Sequence, residues 1–398
     1  MPTLTRARIL ENAQQMQEEL SQIRRDFHMH PELGFQEHRT AEAVARSLRE
    51  MGLRVDTGVG ITGVVGHLGG GKPVVAIRAD MDALPIQEAN AVPYASQTPG
   101  VMHACGHDAH TAILLGVAKL LSQLKDRPAG EVRFLFQPSE EGWDAELKSG
   151  AVRMIEDGCM KGVDAVLALH VAADIETGKI EVEQGYFAAA VDSFRATILG
   201  AGSHGASPHK GVDPIFLFAQ AFTAMQGIRS RRVNPVRGAV VTVGSVHGGS
   251  ATNIIPDKVE ITGTLRSFED ETRRLLWTEL EKALGVCRSL GGDYQLTIEK
   301  GYPGQFNTPE VVNVIRSVVS DLIGADRLVP FEPDMGAEDF AYMTELAPGA
   351  MFLLGVKGWE KERTGHSPAF DLDEKAMPVG LAILAETTCR MLEAKGSK

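Results

Sequence analysis

The chain reads as an α/β protein: a zinc-peptidase-like catalytic domain with a mostly parallel, mixed sheet, into which a ferredoxin-like βαββαβ domain is inserted. Three observations predict this. Short apolar runs alternate with helical patterns over the first ~190 residues, the signature of a parallel sheet covered by helices. The pattern then becomes strand, helix, strand, strand, helix, strand over about 110 residues. After Tyr302 the α/β character returns. A module between two stretches of one pattern implies insertion, with boundaries at 1–187, 188–302 and 303–398.

The elements follow in order. MPTLTRARILENAQQMQEEL is an amphipathic helix pattern without an apolar signal core. Thr40–Met51 has helical spacing and stops at Gly52. Val74–Ala79 is a buried strand, Ala109–Leu124 a helix, Glu131–Gln137 a strand, Ala151–Asp157 a short helix and Ala165–His170 a strand. In the module, strands are expected at Asp192–Leu199, Ala239–Ser245, Lys258–Arg266 and Asp293–Lys300. Its helices are Asp213–Arg231, with Asp213 as cap and Pro214 in the first turn, and Glu269–Leu290. The last part offers a helix at Glu310–Ile323, a strand at Met351–Gly355 and a helix at Glu374–Glu393.

Composition narrows the function classes. With 398 residues, 43% of them hydrophobic, the chain has material for large cores. A net charge of −12 argues against nucleic acid or anionic lipid as partner. No apolar run of ~18 residues is present to cross a membrane, and the expected location is the cytoplasm. The four cysteines are widely spaced, which argues against a disulfide framework or a C-x-x-C site.

Chemistry-bearing residues gather at strand ends. HACGHDAH, residues 103–110, packs His103, Cys105, His107, Asp108 and His110 before a helix, dense in metal-ligand types. A polar loop with Asp108 as helix cap is the bland reading, but it leaves Cys105 and His107 unexplained. Glu140 and Glu141 follow the strand ending at Gln137. Adjacent residues on extended chain point opposite ways, so one carboxylate can face a metal and the other a substrate. Asp80 and Asp82 follow Val74–Ala79, His170 ends its strand, and His366 follows Met351–Gly355. Cys105, His107, Glu141, His170 and His366 make five ligands, more than one catalytic zinc takes, and suit a two-metal site bridged by the thiolate. In the module, His204, Asn253 and Arg266 offer an imidazole, an amide and a guanidinium, suited to a carbonyl oxygen and a carboxylate.

The stretches DFHMHPELGFQE, RADMDALP, MHACGHDAHTA, FQPSEEG, Leu169–His170, GSHGASPH, TNIIPD, MGAEDF and GHSPAFDLDE run in order from residue 26 to 374. Together they resemble the M20 family of metallopeptidases and aminoacylases, and within it the amidohydrolase branch of N-acyl-amino-acid amidohydrolases, hippurate hydrolases and auxin-conjugate hydrolases. The resemblance implies that Cys105, His107, Glu141, His170 and His366 are the metal ligands. It implies Glu140 as general acid/base, Asp82 as a support of the metal site, and His204 as the residue polarising the scissile carbonyl. Asn253 and Arg266 would contact substrate. It further implies two divalent ions, zinc first, with manganese, cobalt or nickel also compatible, and a homodimer or homotetramer.

The expected reaction is hydrolysis of the amide bond of an N-acyl amino acid, a small-molecule substrate. A carboxypeptidase or dipeptidase on the same metals stays open, since Glu338 or Asp339 could receive a free amino terminus. A non-catalytic metal-dependent binding protein would not need Glu140. A cysteine hydrolase built on Cys105 and His107 would leave the other ligands without a role, and a zinc deaminase lacks its second cysteine pair. One departure from the family stands out: many relatives follow the Glu-Glu pair with a glycine-rich stretch, where this chain has Gly142-Trp143-Asp144-Ala145-Glu146.

Overall fold

The computed structural model describes residues 4–359 and 363–396. It divides into two compact units. The first holds the chain up to Gly185, Phe306–Glu332 and the chain from Tyr342 onward. The second holds Tyr186–Gln305 and Pro333–Ala341.

The first unit is built on an eight-stranded mixed sheet. Its centre is four parallel strands in the spatial order Gly130–Gln137, Val74–Asp80, Ala165–Glu176, Gly349–Lys357. Val74–Asp80 is buried along its whole length, as an inner parallel strand covered on both faces must be. Gly63–Gly70 and Arg54–Val59 extend one edge in antiparallel fashion. The helices His107–Gln123, Gln17–Met29 and Met377–Gly396 pack together, and their apolar side chains merge with those of the sheet in one core.

Strand order decides where chemistry can sit. From Val74–Asp80 the chain crosses through His107–Gln123 to the neighbour on one side. From Ala165–Glu176 it continues to the neighbour on the other side. Connections therefore leave these two adjacent strands in opposite directions. That is a topological switch point, and ligands of open α/β sheets bind at the carboxyl ends of such strands.

The second unit is a four-stranded antiparallel sheet in the order Ala239–Gly248, Lys258–Ser267, Ala190–Leu199, Asp293–Lys300. Burial alternates along Ala190–Leu199, so one face meets the helices Pro214–Gly227 and Asp270–Ser289. Phe194, Ile198, Leu217, Ile261 and Leu280 form its separate core. This is the βαββαβ arrangement, and the fold class is as the sequence predicts.

Three local expectations are corrected. His170 does not end its strand, which runs on to Glu176, because Gly349–Lys357 pairs with it well past that residue. Asp108 is not the helix cap. Gly106 holds that position, and Asp108 lies in the first turn. The Asp213–Arg231 helix ends at Gly227 and is followed by a wider turn over Ile228–Arg232, although Asp213 caps it as expected by accepting from the Ile215 N–H.

Candidate metal centre

Backbone geometry delivers the side chains. Gly106 adopts φ +93°, and a Cβ there would sit 2.3 Å from Val171 Cγ2. Only glycine lets the Cys105–His107 turn close against the strand carrying His170. Cys105 thereby precedes the N-terminus of a 17-residue helix, where the dipole favours a thiolate. The next strand delivers Glu140 and Glu141 through a strained turn. Ser139 adopts φ +41°. Its N–H donates to Glu37 Oε1 at 2.8 Å, and its carbonyl accepts from the Gly150 N–H at 2.9 Å. A Cβ at Gly150 would lie 1.5 Å from the Pro138 carbonyl oxygen. His366 is also left-handed, at φ +60°, and its N–H donates to the Ala104 carbonyl at 2.7 Å, tying its loop to the Cys105 turn.

Among the described residues five sets of potential ligand atoms lie within 4.8 Å of one another, and three of them gather the expected ligands: Cys105, His107 and His170; Cys105, Glu141 and His366; His107, Glu140 and Glu141. The first two share Cys105. Cys105 Sγ lies 3.5 Å from His170 Nε2. His170 Nδ1 donates to the Val171 carbonyl at 2.8 Å, which turns Nε2 toward the thiol. His107 Nδ1 faces the Asp82 carbonyl at 2.9 Å and Asp82 Oδ1 at 3.2 Å. The other carboxylate oxygen of Asp82 accepts from the Glu141 N–H at 3.0 Å. Asp82 thus orients two members of the cluster at once.

The donor set fits divalent metal. His107 Nε2 is buried without a hydrogen-bond partner, a costly arrangement unless something binds it. Glu141 Oε1 lies 2.9 Å from His366 Nε2, so two ligand-type atoms converge on one point. Thiolate, imidazole and carboxylate together match zinc and its neighbours in the transition series.

The electrostatics agree. Burial alone would raise the Cys105 thiol, but the charge of His170 and the imidazoles of His107, His170 and His366 around the sulfur bring it down to about 6. Burial would lower His170, and the Cys105 thiolate raises it to about 9. Hydrogen bonds to Cys105 and Glu141 lift His366 to about 10. Burial also works against charge on His107, yet Asp80 and Asp82 hold it well above the usual histidine range. The Cys105 thiolate and the surrounding carboxylates supply the negative charge that a dication requires.

The other members of the HACGHDAH cluster are occupied elsewhere. His110 Nδ1 meets Asp80 Oδ1 at 2.6 Å and its Nε2 accepts from the Val171 N–H at 2.9 Å, so no lone pair remains for a metal. Burial pushes it down to about 4, and it is neutral. Asp80 also accepts from Arg78 Nη1 at 2.7 Å. Asp108 accepts from Arg24 Nε at 2.8 Å, deep in the core. His103 is buried, and burial lowers it to about 4. Among the described residues it joins none of the ligand sets.

The second unit carries the remaining candidates. His204 is exposed on a two-residue strand, Ser203–His204, paired with Ile254–Ile255. The Gly205 N–H donates to the Asn253 carbonyl at 2.8 Å, so His204 and Asn253 share one ribbon. Arg266 is half-buried and donates from Nη1 to the Met335 carbonyl at 2.6 Å. Glu37 was not singled out by sequence reasoning. A lone glutamate a hundred residues before the pair it steadies gives no local signal.

Comparison with known proteins identifies the family. The peptidase family M20/M25/M40 pattern matches residues 76–390. The chain belongs to that family. Over 93% of this chain and 94% of its own length, thermostable carboxypeptidase 2 of Saccharolobus solfataricus is 39% identical. N-acetyl-L-cysteine deacetylase of Bacillus subtilis is 38% identical over 96% of this chain and 90% of its own. The crystal structure of the Bacillus subtilis YXEP protein, described as a dinuclear metal binding peptidase from the M20 family, superposes with a TM-score of 0.83 at 35% identity, covering 95% of this chain and 99% of that one. As a member of the M20 family the chain is a hydrolase of amide or peptide bonds, and its clustered cysteine, histidine and carboxylate groups could hold metal ions. No helix among the described residues is long and apolar enough to cross a membrane.

Proposed function

We propose that the chain hydrolyses the amide bond of N-acyl amino acids. Glu140 is the general base, and Cys105, His107, Glu141, His170 and His366 hold two divalent ions, zinc before manganese, cobalt or nickel. The observation that carries this reading is the pair of ligand sets sharing Cys105, with Glu140 beside His107 and Glu141 in the third.

Divalent ions held by these residues would supply a lowered pKa for a water and a Lewis-acid contact to the scissile carbonyl. Glu140 takes the proton of the attacking water as the water oxygen bonds to the carbonyl carbon. When the C–N bond breaks, Glu140 returns the proton to the departing nitrogen, which leaves as the amine of the amino acid. Asp82 keeps His107 and Glu141 aimed. His204 steadies the negative charge on the carbonyl oxygen, and Asn253 and Arg266 grip the substrate carboxylate. These three roles rest on the family resemblance, as do the division at 187/188 and 302/303, a cytoplasmic location and a homodimer or homotetramer.

The deacetylase relative supports the acyl-amino-acid reading. The carboxypeptidase relative supports peptides as the alternative substrate. A panel of N-acetyl and N-benzoyl amino acids and dipeptides, assayed for amine release after chelation and metal restoration, separates them. The Glu140→Gln variant is expected to keep its metal and lose turnover by ~10²-fold or more, and Glu141→Gln to lose metal. Full activity of the metal-stripped protein, or an active Glu140→Gln variant, refutes the assignment.

A further inference from the structure

The helix His38–Glu50 opens at Glu37, yet the Glu37 side chain does not cap it. Glu32 does that work: its two carboxylate oxygens accept from the Arg39 and Thr40 N–H groups at 3.0 and 2.9 Å. Glu37 is thereby free to point away from its own helix. It is fully buried, and its partners lie on two other segments. Oε1 accepts from the Ser139 N–H at 2.8 Å, and Oε2 accepts from the Thr62 hydroxyl at 2.5 Å. All of these residues belong to the first unit.

What Glu37 reaches is the turn that delivers Glu140. Ser139 stands at φ +41°, and a residue with a side chain keeps such a conformation only where its surroundings over-determine it. Gly34 presses on it so closely that a Cβ there would lie 2.5 Å from Ser139 Oγ. Ser139 Oγ donates to the Gly142 carbonyl at 3.2 Å, and the Ser139 carbonyl accepts from the Gly150 N–H at 2.9 Å. Glu37 fixes the remaining group, the N–H.

Two residues on, the Glu141 N–H donates to Asp82 at 3.0 Å. Glu140 therefore hangs between two anchored amides, one tied to Glu37 and one to Asp82. The two anchors differ in what else they hold. Asp82 also faces His107, so its side of the bracket serves the metal ligands. Among the described residues Glu37 joins none of the ligand sets. Its influence falls on the direction of Glu140.

We propose that Glu37 is a positioning residue for the hydrolysis: from outside the metal centre it holds the Ser139 turn and so aims the Glu140 carboxylate. This role rests on the reading of Glu140 as general base. A misplacement of ~1 Å caused from outside the reacting groups costs on the order of 10²-fold in rate. Binding of substrate and of metal does not depend on that aim and is spared.

Two substitutions separate aiming from general support of the fold. Glu37→Leu removes both acceptors. Glu37→Gln keeps a carbonyl oxygen for the Ser139 N–H and turns an amide toward Thr62, whose hydroxyl accepts as well as donates. Both are assayed in zinc-restored protein with N-acetyl-alanine and alanyl-alanine, beside Glu140→Gln, with melting temperatures reporting the fold. Glu37→Leu is expected to lose kcat by about 10- to 100-fold, with KM and the zinc affinity from equilibrium dialysis unchanged. Glu37→Gln should restore most of the loss. Hydrogen exchange over residues 138–142, which needs no turnover, should quicken in Glu37→Leu and stay slow in Glu37→Gln. Should Glu37→Leu fail to fold, Thr62→Val decides: it takes one donor from Glu37 and should lower kcat at constant KM, and a parental kcat there overturns the proposal. A folded Glu37→Leu with parental kcat overturns it too. So does a loss shared by kcat, KM and zinc affinity, or an equal loss in Glu37→Gln. An active Glu140→Gln refutes the general-base reading and this role with it, whereas an inactive Glu140→Gln beside a normal Glu37→Leu removes this role alone.

Discussion

Replacing Asp82 by asparagine tests whether the metal centre is organised from behind its ligands. Asp82 is 2% exposed and faces two donors, the His107 Nδ1–H and the Glu141 N–H. A carboxylate accepts from both; an amide accepts with its oxygen and donates with its nitrogen. Either orientation of the Asp82→Asn amide therefore sets one donor against another, at about the 3.2 Å of His107 or the 3.0 Å of Glu141.

The His107 side has a reserve, because the Asp82 carbonyl still accepts at 2.9 Å and holds the tautomer. The amide oxygen should consequently turn to Glu141, or else leave that N–H unpaired at a cost of about 1–3 kcal/mol. With the lost negative charge, metal affinity should fall about 10–100-fold, the usual effect of removing a group that orients a ligand. Equilibrium dialysis against buffered zinc measures that loss, and turnover at saturating metal should return to within about threefold of the parent. Unchanged affinity would refute the reasoning. Full occupancy with turnover still lost would mean that Asp82 acts on the reacting groups themselves.

Other perturbations follow from the same structure. Asp108→Ala leaves the fully buried Arg24 without its 2.8 Å partner, while Asp371 and Glu374 remain at 3.2 and 3.4 Å. Removing one partner of a buried pair costs about 3–5 kcal/mol, and these reserves place the loss near the low end; a urea-denaturation loss under ~1 kcal/mol would contradict it. Burial, and then the charge of Asp82, raises Glu37 from 4.5 to about 7. A raised folded-state value means the native protein keeps a proton that the unfolded chain has released, so this stability is complete below 4.5 and lost as pH rises through about 7. Glu37→Gln should accordingly flatten the melting temperature against pH across that window, and an unchanged slope counts against the burial argument. His204→Ala should keep metal content and thermal stability but lose turnover; normal kinetics would remove His204 from the reaction.

The chain's pattern alone pointed to the two-part architecture and to the residues that the fold gathers into one cluster. Strand and helix periodicities are local quantities, and burial on two faces or one writes itself directly into residues such as Val74–Asp80 and Ala190–Leu199. That Cys105, His107, Glu141, His170 and His366 would meet was legible because each is a metal-ligand residue type placed near a strand end. What those residues do to one another was not legible. That Asp82 serves both His107 and Glu141, and that His110 is used up between Asp80 and the Val171 N–H, depends on side-chain directions across strands far apart in sequence. Asp108 looked like a cap because capping is the local option. Only the fold supplied Arg24, 84 residues away. His170 seemed to end a strand because the sequence becomes polar after it, whereas pairing with Gly349–Lys357 carries the strand on. Glu37 was invisible for the same reason: a carboxylate acquires its meaning from the strained Ser139 turn it holds, and that meeting exists only once the sheet has formed.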